Sequence, residues 1–156
     1  MSTRAIAVGE EIQISYLDPA DAANPQQHAA DLKSHWGIVC DAGCLCQNKE
    51  YLERRHMLSE LQRQVAKLKD LSQIDQIRAL HKELDMPAIV VLQDLHTWAE
   101  IMVARRTTLP KARQLAQEAK ELAETAFGPG SAVAATFAPF AEDITKHRNY
   151  LALDRG

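Results

Sequence analysis

The chain reads as mainly α-helical: a short N-terminal strand or strands and a cysteine knuckle, followed by an antiparallel array of helices. Three observations predict this. Hydrophobic residues make up 46% of the 156 residues and aromatics only 5%, and alanine is abundant, which suits close-packed helices better than a sheet sandwich. From residue 48 onward apolar residues recur at spacings of three and four. Pro25, Gly37, Ser72, Pro87, Thr108, Gly128 and Ser131 then punctuate the chain at helix-length intervals. The division expected is residues 1–47 as one segment and 48–156 as an α-helical domain.

Ile12, Ile14 and Tyr16 alternate with Gln13 and Ser15, a half-buried strand with period two. Residues 18–25 form a loop in which Asn24 caps and Pro25 takes the first helical position. The first helix runs to Trp36, carries Ala29, Leu32 and Trp36 on its apolar side, and stops at Gly37 as a left-handed cap. Residues 38–47 are the knuckle. A long helix follows from Asn48 to about Leu71, with Leu52, Leu58, Leu61, Val65 and Leu68 as its stripe.

Ser72 is expected to cap the next helix, with Asp75 as its partner, and Ile74, Ile77, Leu80 and Leu84 to point inward. Pro87 opens a helix to about Arg106. Its segment Ala88-Ile89-Val90-Val91-Leu92 is apolar all round, which marks it as central. Thr108 caps a helix ending at Phe127, with Gly128 beyond it. The last helix runs from about Ser131 to Leu153, kinked or split by Pro139. No strict repeat is present, but antiparallel pairs with short breaks suggest a tetratricopeptide-like stack without that consensus.

The formal net charge of −3 leaves no basic footprint for nucleic acid. No run of eighteen apolar residues spans a membrane, and Met1-Ser2-Thr3-Arg4 is not followed by the apolar region of a signal peptide. Three clustered cysteines in such a chain suit a reducing compartment, so a cytoplasmic or nuclear location is expected. A lone strand at residues 11–16 is not stable by itself, and its open edge invites a second copy or another protein partner.

The segments Gly9-Glu10-Glu11-Ile12-Gln13-Ile14-Ser15-Tyr16-Leu17-Asp18 and Trp36-Gly37-Ile38-Val39-Cys40-Asp41-Ala42-Gly43-Cys44-Leu45-Cys46 carry the only chemical signature. Together they resemble the last strand and post-SET knuckle of SET-domain proteins, with the SET- and MYND-type lysine methyltransferases and their fungal cousins as the nearest kin. That family reads Gly-Glu-Glu-Ile/Leu-x-Ile-x-Tyr-x-Asp, then a short helix, an aromatic residue and Cys-x-Cys-x-x-Cys. The resemblance covers residues 4–46 and extends weakly into the Ala-rich helices of 109–150. It implies that Tyr16 is the family's active-site tyrosine. It also implies that Trp36 and Ile38 stand where aromatic residues shape the site and pack on adenine. The family's Gly-x-Gly segment and Asn-His pair, which bind S-adenosylmethionine, have no counterpart, so that cofactor is not expected on the isolated chain.

Cys40, Cys44 and Cys46 are the candidate zinc ligands, because several thiolates near a glycine turn can converge on one tetrahedral ion. Their spacing, Cys-x-x-x-Cys-x-Cys, departs from the family's. The fourth ligand would be His35, His56 or a residue of a second chain. The alternative is a degenerate knuckle with free thiols. Tyr16 has an equally plain alternative as a core tyrosine. His96 and Glu100, at i and i+4 on the central helix, are candidate catalytic residues: a carboxylate one turn away can orient an imidazole as a general base. The alternative is an ordinary ion pair on a helix face.

Two classes of function follow. The first is a truncated SET-lineage protein that acts as a binding or scaffold protein through its helical domain. The second is a small cofactor-independent enzyme, of a kind plausible in fungal secondary metabolism. It would hold a small-molecule ligand in a pocket lined by Tyr16, Trp36, Trp98 and Met102. The C-terminal half of a split protein-lysine methyltransferase is a further alternative.

Overall fold

The computed structural model describes residues 25–39, Gly43 and residues 48–154. Tyr16, the strand expected at 11–16, Cys40, Cys44 and Cys46 lie outside them. The described residues form six α-helices and no strand, so the mainly α class holds. They divide into two compact units, with the boundary between Pro87 and Ala88.

The first unit contains α1 (Pro25–Trp36), α2 (Lys49–Leu68) and α3 (Ile74–Glu83). Helix α1 ends as its sequence requires. Gly37 adopts φ 67°, which glycine takes without strain, and its N–H donates to the Lys33 carbonyl at 3.1 Å. Helix α2 starts at Asn48, whose side chain accepts the Tyr51 N–H at 3.0 Å. That bond satisfies one of the amides that a helix start leaves open.

Leu58, Leu61 and Val65 form the buried stripe of α2, and α3 packs on it through Ile74, Ile77, Leu80 and Leu84. The stripe differs from the expected one at both ends. Leu68 is 66% exposed, because α2 stops there instead of at Leu71 and Lys69 turns the backbone left-handed. Arg55, three residues before Leu58, is buried in line with the stripe. Ser72 does not cap α3. Its own N–H donates to Asp70 Oδ1 at 2.9 Å, so the short Asp side chain takes the turn, and the capping position, Gln73, makes no side-chain cap.

The second unit contains α4 (Ala88–Met102), α5 (Leu109–Phe127) and α6 (Ala132–Glu142), with 3-10 turns at Arg106–Thr108 and Ile144–Lys146. Helix α5 packs on both α4 and α6. Its buried line is Ala112, Leu115, Ala116, Ala119 and Ala123. Four of those five side chains are single methyl groups, which lets neighbouring backbones approach closely and costs no side-chain entropy. Facing them from α4 are Leu92, Leu95, Trp98 and Ala99, each at most 1% exposed. The first residues of α4, Ala88 to Val91, are only half-buried, so the central part of the helix begins at Leu92.

Two helices end earlier than their periodicity predicts, each for a local reason. Helix α4 stops at Met102, not Arg106, because the carbonyls of Val103 and Ala104 take tertiary partners. They accept the N–H groups of Leu151 and Leu153, both at 3.0 Å. Helix α6 stops at Glu142, not Leu153. Pro139 lies inside it, has no N–H to give and crowds the preceding turn. Four residues later Asp143 turns to φ −145°, and its carboxylate accepts the Thr145 N–H at 3.1 Å to start the 3-10 turn. The start of α6 does follow its sequence: Ser131 Oγ accepts the Ala134 N–H at 3.1 Å.

Candidate functional site

Helix α4 buries Leu92, Leu95, Trp98, Ala99 and Met102. His96 and Glu100 flank this stripe one turn apart, with side chains 32% and 29% exposed. Their surroundings come from the far end of the unit. Phe137 and Phe140 of α6 each present to the His96 ring at a centroid distance of 5.4 Å, at interplanar angles of 84° and 86°. These are edge-to-face contacts, which aromatic quadrupoles favour. Phe140 also lies on the ring of His147, with centroids 4.6 Å apart and tilted by 34°.

His147 was not legible as a site residue, yet it takes the hydrogen bond expected at His96. Its Nε2 is 3.0 Å from Glu100 Oε1, whereas His96 Nε2 stands 3.8 Å from the same oxygen, too far for a hydrogen bond. The geometry also sets the tautomer. The Asn149 N–H donates to His147 Nδ1 at 3.2 Å. An acceptor nitrogen carries no proton, so Nε2 carries the ring proton and donates it to the carboxylate. The side chain of His147 is 14% exposed, which excludes much of the water that would compete for this bond.

Burial pushes the pKa of His96 below its ordinary value of 6.5. Glu100 pulls the other way, and His147 adds a smaller downward push. The ring is therefore uncharged at neutral pH, and its pairing with Glu100 is not an ion pair there. Glu100 fixes the orientation of His147, not of His96. His96 and Glu100, the expected base and its orienting carboxylate, thus lie one turn apart, with the carboxylate hydrogen-bonded to His147. His147 has both nitrogens in use and none left to accept a substrate proton. What the arrangement does chemically is clasp the last turn of the chain to α4. Three backbone-mediated bonds extend the clasp: Leu151 N–H to Val103, Leu153 N–H to Ala104, and Arg106 N–H to Asp154 Oδ2 at 2.5 Å.

The remaining candidates are scattered. Trp36, the last residue of α1, is 53% exposed and Ile38 is 39% exposed. Trp98 and Met102, expected to line a pocket, are core residues at 1% and 9% exposure. His35 Nδ1 lies 3.1 Å from the Asp31 carbonyl and 3.0 Å from Ser34 Oγ, and His56 is exposed. Among the described residues no group of three or more His, Cys, Asp or Glu side chains is placed to hold a metal, and no helix is long and apolar enough to cross a membrane. No sequence cue pointed to His147, which stands 47 residues from Glu100. Only the fold of α5 and α6 brings it back.

No family model, no curated protein and no solved structure matches the chain.

Proposed function

We propose that this chain is a SET-lineage protein that acts by binding, with a second copy of itself as the partner. Its helices would form a tetratricopeptide-like scaffold in the cytoplasm or nucleus, with no S-adenosylmethionine site of its own. The sequence basis is the Gly9–Asp18 motif. The observation that carries the binding reading is the exposure of Trp36, Ile38 and Val39, at 53%, 39% and 71%. Three large apolar side chains within four consecutive residues, around the left-handed turn at Gly37, are costly to leave in water. Such groups mark interaction sites when they cluster, and tryptophan is enriched at the centres of interfaces. Zinc at Cys40, Cys44 and Cys46 belongs to the same proposal, since a metal there would brace the segment that follows Val39.

The test is native mass spectrometry and light scattering of the whole chain beside the double variant Trp36→Ser/Ile38→Ser. A dimer that falls to a monomer in the variant supports the reading, and bound zinc lost in Cys44→Ser supports the knuckle. A wild-type chain that stays monomeric at every concentration argues against self-association. A dimer unaffected by the double variant argues against this surface.

A further inference from the structure

Arg55 occupies an apolar position. It lies three residues before Leu58 and ten before Val65 on the buried stripe of α2 and is itself only 6% exposed. Its Nε is buried without a hydrogen-bond partner, and its Nη1 is set against the sulfur of Met86. The loop after α3 delivers that sulfur: the Met86 N–H donates to the His81 carbonyl at 2.9 Å, and His81 is buried to the same degree as Arg55. Two acids near this end of the helix pair serve another residue. Glu50 and Glu83 both pair with Arg54 on the outer face, at 2.7 and 3.0 Å.

A guanidinium cannot shed its proton to escape burial. A buried charge is held in a fold when an opposite charge and hydrogen bonds complete it, and a thioether sulfur is a weak acceptor that supplies no charge. The Nε–H stands beside Nη2, and these two parallel donors match the spacing of two carboxylate oxygens. The depth of the group limits what can reach it to something small.

We infer that Arg55 anchors a small organic acid, whose carboxylate takes the Nε–Nη2 edge at the end of the α2–α3 pair beside Met86. This site uses none of the residues of the clasp on α4 or of the surface at Trp36.

The test is the thermal midpoint of the whole chain in sodium acetate against sodium chloride at constant ionic strength. Wild type is expected to gain several degrees, saturably, as a ligand that binds only the folded state requires. Arg55→Met, which keeps the stem and drops the charge, is expected to show no gain. Equal behaviour of the two proteins, or no gain in wild type, overturns the inference. A larger gain in inorganic phosphate than in acetate overturns the carboxylate assignment. Should Arg55→Met fail to fold, the wild-type Nε–H resonance of Arg55 decides by NMR. A saturable shift on adding acetate supports the site, and an unmoved resonance overturns it.

Discussion

The two histidines beside Glu100 have different duties, and each can be measured. His96 has a pKa depressed below 6.5, chiefly by burial. Between that lowered value and 6.5 the unfolded chain takes up a proton that the folded chain does not. Folding is therefore unpenalised by this group above about pH 6.5 and progressively penalised as pH falls below it, until the ring is protonated in both states. His96→Gln removes the titration, so its thermal midpoint should fall less than that of wild type between pH 7 and pH 5. Parallel curves would show that the ring is not held uncharged. Glu100 and His147 should couple. Their single alanine variants should each cost roughly 1–2 kcal/mol in urea denaturation, and the double variant less than the sum, because one hydrogen bond to a charged group is lost in each case. Additive losses would mean that the bond contributes nothing.

At the scale of elements, the starts of α2 and α6 follow local chemistry and the end of α4 does not. Asn48 and Ser131 cap α2 and α6 by accepting the amides of Tyr51 and Ala134. Asn48→Ala and Ser131→Ala should each lower stability by about 1 kcal/mol, read as a shift in the urea midpoint with an unchanged slope. The same change at Thr108 should not act through capping. Thr108 precedes α5 but makes no side-chain cap, and its hydroxyl donates to the Met102 and Arg105 carbonyls instead. This distinction could not be read from Thr108 itself. A hydroxyl at a helix start can cap or can bond backward, and the choice depends on where the previous helix leaves its carbonyls. The end of α4 has the same character, since the apolar period continues but tertiary hydrogen bonds take its last carbonyls, whereas the break of α6 after Pro139 has a cue in the sequence.

At the scale of the whole chain, the unit from Ala88 onward is stabilised by close packing around α5. Leu115 is fully buried there among alanines too small to fill a void. Leu115→Ala should cost roughly 3 kcal/mol, from lost burial and the cavity left behind. Trp98, at 1% exposure, is the natural probe, and its emission should shift red on unfolding at a lower urea concentration in the variant. Trp36→Phe in both proteins would leave Trp98 as the sole tryptophan, since the chain has two. A midpoint within a tenth of wild type would show that the site collapses without a cavity.

Taken alone, the sequence determined the helical class, the inward face of α3, the helix starts near Asn48 and Ser131 and the turns at Gly37 and Gly128. All of these rest on residues within one or two turns of each other, where backbone preference and apolar period act directly. The charged and polar members of the interior were decided by the tertiary structure. Arg55 and His81 sit where an apolar residue would be expected, and neither looks different in sequence from its neighbour, the half-buried Arg54 or the exposed Lys82. Glu100 chose His147 over His96, although His96 is four residues away and His147 forty-seven. Helical spacing brings His96 close, but a hydrogen bond needs a distance and a direction, and those were set by how Pro139 and the packing of α6 on α5 return the end of the chain to α4.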